Sequence, residues 1–350
     1  SALGYRYYRC PEGHEDKRQY HSCRHRSCPL CAEKARHDWV EKQKARLLNC
    51  AHHHVIFTLP HEYLDLWQYN REWFTRVLFE VCGETLKHLL EDERYLGATP
   101  GIVMTLHTWG RQLNFHPHIH CLVTAGGLSP GRAWREVKND FLLPVRVVKA
   151  LYRGKMQSKI KAALTAGELR LPEHNTLGQY LHTHARLYKK QWSVRIQEQY
   201  AHGRSVMLYL SRYLKGSPLH PKQIIHRDSK QVVFRYLDHR DNKVKTLRLR
   251  MQEFIRRILW HVPAPGVHVV RHYGLYASQC RARRDLCREA LGGDLETAIL
   301  AGQAEKDPLH WTCRVCGKIM PCVYAVSRKR VIENSYKQGV EDGSVQQDAQ

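Results

Sequence analysis

The run Leu113-Asn114-Phe115-His116-Pro117-His118-Ile119-His120-Cys121-Leu122-Val123-Thr124-Ala125-Gly126-Gly127 decides how this chain is read. A strand sends alternate side chains to the same face. With residues 117–125 as a strand, His118 and His120 point the same way, about 7 Å apart along it, and Ile119 and Leu122 are read as facing the other side. Two neutral imidazoles converging from one strand make a clamp for a divalent metal. Such an ion needs a third ligand. Residues 102–109 read as a preceding strand, joined through 110–115, so the histidines sit on the second arm of a hairpin. His107 on the first arm is the first choice, because cross-strand neighbours come within about 5 Å. His116 shares the strand face but precedes Pro117 and is set farther off. A Glu or Gln from elsewhere, including a helix, remains the alternative.

The chain has 350 residues, of which 43% are apolar, and 56 Lys+Arg stand against 33 Asp+Glu for a formal charge of +23. Such a chain is globular and long enough for two or three domains. No apolar run approaches the roughly 20 residues that span a bilayer. No signal peptide is visible, and the start at Ser1 rather than Met reads as trimming or processing. The positive excess is spread along the chain and dense between Arg248 and Arg288, which favours a polyanionic partner, nucleic acid, over a membrane surface. Among 12 cysteines, Cys28-x2-Cys31 and Cys313-x2-Cys316 have metal-knuckle spacing rather than the look of a disulfide framework. They point to bound zinc and a reducing cytoplasm.

Outward from the hairpin, residues 1–50 read as a small Cys/His module followed by a helix. Residues 51–130 hold a buried strand at 53–59 stopped by Pro60, a helical stretch at 62–93, a break at Gly97 and Pro100-Gly101, and the hairpin, which Gly126-Gly127 ends. Residues 131–191 are Lys/Arg-rich and mostly helical and read as an insertion. Residues 192–262 carry a strand at 192–196, a helix at 206–215, a strand pair at 231–236 and 243–249, and a basic amphipathic helix at 251–261. Residues 263–350 form a basic C-terminal region, frayed from about 325. Strands alternating with helices around a central hairpin indicate an α+β fold with an antiparallel sheet.

Four further groups carry chemistry. Tyr209 and Tyr213, at i and i+4, share one helix face, with Arg212 and Lys215 beside them. A phenol of ordinary pKa near 10 becomes a nucleophile where a metal polarises the phosphorus and cations stabilise the phenolate. In the N-terminal module Cys28 and Cys31 form a half-site, Cys10 and Cys23 are the preferred partners, and His14 is the substitute, giving five candidates for four tetrahedral places. Arg24 and Arg26 give that module a basic surface for DNA. Cys313, Cys316 and Cys322 are candidates for a second zinc, with His310, Cys280 and Cys287 nearby in sequence. Finally, Arg256, Arg257 and Arg271 can contact phosphates, while Trp260 and Tyr273 can stack on unpaired bases.

Taken in order, Leu106-His-Thr-Trp-Gly-Arg111, His116-Pro-His-Ile-His120, Tyr209-Leu-Ser-Arg-Tyr213 and Arg271-His-Tyr-Gly274 resemble the two-tyrosine HUH transposases of rolling-circle insertion sequences. The Cys-rich start and His54-Val-Ile-Phe-Thr-Leu-Pro60 resemble that family's zinc region and first core strand, so the likeness runs from about residue 6 to about residue 276. It implies an HUH-endonuclease core, a central antiparallel sheet flanked by helices, with a zinc-binding module in front and helical insertions. It implies that His118 and His120 with a third ligand hold Mg²⁺ or Mn²⁺, and that Tyr209 and Tyr213 cut and transfer single-stranded DNA through a 5′-phosphotyrosine link. Imidazole ligands lean toward Mn²⁺. A rolling-circle replication initiator or relaxase shares these parts, and a non-enzymatic zinc-dependent DNA-binding regulator is the alternative of another class. The sequence contains no Gly-x4-Gly-Lys-Ser/Thr loop, so a host helicase or replication machinery is the expected partner beside single-stranded DNA at the transposon ends and target. The expected place is the bacterial cytoplasm, in association with the nucleoid, with no membrane partner.

Overall fold

In the computed structural model, residues 3–22, 39, 43, 46–200, 218–238, 240–264, 266–292 and 311–327 are described, with the backbone of 331–333. In chain order the strands are β1 (Gly4–Arg9), β2 (Asp16–Tyr20), β3 (His52–Thr58), β4 (Thr99–Trp109), β5 (Phe115–Leu128), β6 (Trp134–Glu136), β7 (Val194–Tyr200), β8 (Ile224–Arg227), β9 (Gln231–Asp238), β10 (Lys243–Arg250), β11 (Val270–Gly274), β12 (Trp311–Thr312), β13 (Ile319–Met320), β14 (Cys322–Ser327) and β15 (Val331–Glu333). The helices are α1 (Leu64–Tyr69), α2 (Arg71–Leu90), α3 (Val145–Thr165), α4 (Leu177–Lys189), α5 (Met251–Trp260) and α6 (Arg281–Ala290). The chain divides into two units, Ser1–Cys31 with Ala304–Gln350, and Ala32–Gln303.

The larger unit is built on a six-stranded sheet of order β11-β4-β5-β3-β7, with β6 pairing the end of β5, and every pair is antiparallel. The α+β architecture with a central antiparallel sheet is as expected. One sheet face takes Val55, Phe57, Ile102, Met104, Leu106, Ile119, Cys121 and Val123 into a core with Phe74, Leu78 and Val81 of α2 and Tyr152, Met156 and Ile160 of α3. Burying each such large apolar side chain contributes about 1.5–3 kcal/mol relative to exposure. At one end of the opposite face Val103 and Leu122 pack with Leu48, Leu275, Tyr276 and Cys287. Leu122 therefore shares the face of His118 and His120, opposite Ile119. This corrects the sequence reading, since an even offset along a strand keeps a side chain on one side.

Three segments differ from expectation. The helices of 131–191, read as an insertion, belong to the main core. Val148, Tyr152, Met156 and Ile160 form one apolar stripe, hidden in the sequence by the basic residues between them. Lys155 and Lys159 reach Glu84 and Glu80 of α2 at 2.9 and 2.7 Å. Gly126-Gly127 does not end β5, which continues to Leu128. A Cβ on Gly126 would lie 2.6 Å from the Arg135 carbonyl oxygen, and one on Gly127 2.6 Å from that of Thr99, so these glycines admit close neighbouring strands. Pro100-Gly101, read as a break, lies within β4 at a register shift opposite β5, where Thr124 Oγ1 accepts from Gly101 N at 2.9 Å.

A second sheet, β10-β9-β8, encloses Leu219, Val232, Phe234 and Leu249 together with Leu113 from the tip of the β4–β5 hairpin. Leu113 has φ 58°, a left-handed conformation costly for a branched side chain and offset here by complete burial. That contact fixes the hairpin that carries the histidines.

The smaller unit is a sheet of order β15-β14-β1-β2, beside the paired β12 and β13. Residues 322–327, in part expected to fray, instead form a strand against β1, with Tyr7 opposite Tyr324.

Candidate metal centres and nucleic-acid contacts

Strand alternation places His118 and His120 on one side of β5, and register sets His107 of β4 directly across from His118. One donor atom from each of the three lies within 4.8 Å of the others. His118 Nε2 and His120 Nε2 are 3.0 Å apart. The other nitrogen of each ring is engaged: His118 Nδ1 with the His116 carbonyl at 2.6 Å, and His120 Nδ1 with His54 Nε2 at 2.8 Å. A carbonyl can only accept, so His118 carries its proton on Nδ1 and leaves Nε2 as an electron-pair donor. In the same tautomer His120 would donate from Nδ1 to His54 Nε2 and keep its own Nε2 as an electron-pair donor. Burial is the main cause that pushes His118 and His54 down to about 4 and His120 well below its usual range, so these imidazoles are neutral at pH 7, the form that binds metal. Two ligands at about 2.1 Å from an ion in adjacent octahedral positions stand about 3.0 Å apart. The histidine pair has that spacing, and the donor set fits a divalent ion.

His116 is exposed and contributes its carbonyl rather than its ring. His54 escaped the sequence reading. Its signal was the alternation of His52, His54 and Ile56 on β3, whose Ile56 lies opposite His120. Trp109 stacks on His107 at 4.4 Å between ring centres, and His261, at the end of α5, meets Trp109 edge-on at 5.9 Å. His261 Nε2 also bonds the Leu113 carbonyl at 3.2 Å, tying α5 to the histidine hairpin.

Tyr209, Tyr213, Arg212 and Lys215 lie outside the described residues, as do Cys23, Arg24, Arg26, Cys28 and Cys31. Of the candidate DNA-contact residues, Arg256, Arg257 and Arg271 are described. Arg256 and Arg257 both bind Glu253, at 2.5 and 2.7 Å. Arg256 also lies over Trp260, and Arg257 donates to the Gln112 carbonyl at 2.9 Å. Arg271 is opposite Met104, on the helix-covered side, with its guanidinium 4.8 Å from the Phe79 ring centre. It does not converge with the histidines.

In the smaller unit the cysteines group differently from the sequence reading. Cys10 and His14 come together with Cys313 and Cys316, their donor atoms all within 4.8 Å of one another. Cys322, grouped with Cys313 and Cys316 from spacing, is outside this set, and its thiol meets the Tyr324 carbonyl at 3.5 Å. The reason is the pairing of β14 with β1, which carries the β12–β13 segment to the turn between β1 and β2. Burial raises the Cys10 thiol, but backbone N–H groups of His14 and Glu12 and the thiols of Cys313 and Cys316 outweigh it and hold Cys10 at about 6. Cys287, in the larger unit, is pushed up to about 11 by burial and packs as a core residue. One face of the small sheet carries Tyr5, Tyr7, Tyr20 and Tyr324 in ring contact, with Arg18 over Tyr5 and Arg9 over Tyr7. Aromatic and basic groups interleaved on a sheet face suit stacking on unpaired bases.

Comparison with known proteins gives a consistent set of relatives. The family described as "Putative transposase" matches residues 101–284, and the "Transposase zinc-binding domain" matches residues 1–59. The chain is 35% identical over 302 residues to the putative transposase y4qJ of Sinorhizobium fredii, covering 83% of this chain and 75% of that protein. It is 29% identical over 353 residues to the transposase for insertion sequence element IS801 of Pseudomonas savastanoi pv. phaseolicola, covering 93% of this chain and 81% of that protein. No solved structure matches. Among the described residues no helix is long and apolar enough to cross a membrane.

Proposed function

The chain belongs to this transposase family, zinc-binding domain included, and from that premise we propose that it cuts and rejoins single-stranded DNA as the transposase of a rolling-circle insertion sequence. The observation that carries the reading is the convergence of His107, His118 and His120 on one sheet face. These three would hold Mg²⁺ or Mn²⁺, which supplies a Lewis acid for the scissile phosphate. The chain's own groups do the rest. The His116 carbonyl and His54 set the two β5 imidazoles with Nε2 toward the site. The phenol oxygen of Tyr209 or Tyr213 attacks phosphorus and forms the O–P bond, its proton passing to solvent. The bond from phosphorus to the 3′ oxygen breaks, and that oxygen takes up a proton to leave as a 3′-OH. The resulting 5′-phosphotyrosine keeps the energy of the phosphodiester, so attack by a 3′-OH rejoins DNA without ATP, and the second tyrosine serves a second strand.

The excess of positive charge and the tyrosine–arginine face of the small sheet support single-stranded DNA as the partner, at the element's ends and at the target. Duplex opening then falls to a host helicase or replication machinery, in the bacterial cytoplasm at the nucleoid. A replication initiator or relaxase would use the same chemistry, but the zinc-binding transposase domain and the relatives favour transposition.

The test is covalent capture. A single strand bearing an element end, labelled at its 3′ end, is incubated with the protein and Mn²⁺ and resolved under denaturing conditions. A labelled protein adduct is expected, absent from Tyr209→Phe/Tyr213→Phe and from His118→Ala/His120→Ala. Cutting that survives the tyrosine pair would refute the phosphotyrosine route, and cutting that survives the histidine pair would refute the metal clamp.

A further inference from the structure

We propose that a single zinc ion is held by Cys10, His14, Cys313 and Cys316, two ligands from each end of the chain, so that the C-terminal segment completes the N-terminal zinc module. Both halves are built as ligand turns. Cys10 and His14 bracket the link between β1 and β2, closed by Cys10 N to the Glu15 carbonyl at 3.0 Å and Gly13 N to the Cys10 carbonyl at 2.9 Å. Gly13 supplies φ +74° there. Cys313 and Cys316 sit in the turn between β12 and β13, closed by Cys313 N to the Lys318 carbonyl at 2.8 Å and Gly317 N to the Cys313 carbonyl at 2.9 Å. Gly317 has φ +69°, and Val315 N donates to Cys313 Sγ at 3.4 Å, the kind of contact that steadies a thiolate ligand.

The donor spacings fit a tetrahedron. With metal–sulfur distances of about 2.3 Å and metal–nitrogen distances of about 2.0–2.1 Å, tetrahedral ligands stand roughly 3.5–3.8 Å apart. Here Cys10 Sγ is 3.5 Å from Cys316 Sγ, and His14 Nδ1 is 3.7 Å from Cys10 Sγ and 4.0 Å from Cys313 Sγ. Three thiols and an imidazole are a soft set that selects zinc over Mg²⁺ or Mn²⁺. The two turns also touch directly. Glu15 accepts from Arg314 N at 2.7 Å, Glu12 pairs with Lys318, and Tyr8 and Met320 are buried beneath the ligands. Closing a ring of this length removes much freedom from the unfolded chain, so the metal acts as a staple between the chain ends. The inference stands apart from the tyrosine chemistry and survives or fails without it.

The alternative pairing puts Cys10 in a site of its own with other N-terminal cysteines and Cys313-x2-Cys316 in a second. Zinc per chain, measured on the full-length protein after dialysis, separates the two. For the shared site, Cys10→Ser and Cys316→Ser each lose one zinc, and the double variant loses that same one and no more. A double variant that loses twice as much, or a Cys316→Ser chain that keeps all its zinc, would overturn the proposal. Hydrogen exchange guards against simple unfolding. In Cys316→Ser, exchange should rise at residues 10–16, far away in sequence, while the β3–β5 strands keep their protection. Unchanged exchange at 10–16 would also overturn it.

Discussion

His54→Phe isolates the role of an oriented histidine. Phenylalanine keeps a flat ring in a place that is 1% exposed but removes the nitrogen that meets His120 Nδ1 at 2.8 Å. No water can readily replace that partner at such a depth, so His120 keeps a buried polar nitrogen with one bond fewer and loses the constraint on ring and tautomer. His118 keeps its backbone acceptor, the His116 carbonyl, which no side-chain change at 54 removes. Removing a partner that orients one metal ligand typically costs 10–100-fold in affinity, or about 1.4–2.7 kcal/mol. The expected result is a loss of that size in Mn²⁺ binding to the DNA-free protein, followed by titration calorimetry or the free-ion paramagnetic signal. His54→Gln, which can place an amide oxygen near the same nitrogen, should recover part of it. A folded His54→Phe protein, judged by its thermal transition, that binds Mn²⁺ as tightly as the parent would show that His54 does not set His120.

Three further expectations concern stability and binding. Burial is the leading cause that depresses His52, His261 and His272 from the ordinary value near 6.5 to about 4. Their stabilising contribution is then full above about pH 6.5, declines as pH falls, and is gone below about pH 4. For His52 alone this is on the order of 3 kcal/mol, so urea midpoints should fall steeply across that window, and a flat profile would contradict the buried neutral state. Gly274→Ala should destabilise by at least about 1 kcal/mol, because Gly274 has φ +57° and its Cβ would lie 1.9 Å from the Pro100 carbonyl oxygen; an unchanged melting temperature would argue against the β11–β4 register. The logarithm of the affinity for single-stranded DNA should fall linearly with log salt, with a slope of about −0.7 for each phosphate engaged, and a slope near zero would mean that the positive charge serves another purpose.

Much of the histidine site was legible because strand chemistry is local. Alternation alone puts His118 and His120 side by side, and a short hairpin connection brings His107 opposite them. The same alternation places Leu122 on the face of His118 and His120, where it packs with Val103. His54 was harder to see, because it belongs to the neighbouring strand β3, and which residue of β3 stands beside His120 depends on a register between segments more than 60 positions apart in sequence. The apolar stripe of α3 was masked by its lysines and arginines, which spacing reveals only once the partner helix α2 and its glutamates are known.

Cysteine spacing shows where the limit falls. Legible in the sequence alone were the two-residue knuckle of Cys313 and Cys316, the shared strand face of His118 and His120, and the antiparallel hairpin beneath them. Each is a matter of neighbours within a few positions, where backbone geometry dictates which side chains meet. It takes the folded chain to bring Cys10 and His14 to Cys313 and Cys316, to stand His54 behind His120, and to set Arg271 on the far face of the sheet. Those pairings follow from long-range strand register, which is set by the fit of whole buried faces and is written in no single stretch of the chain.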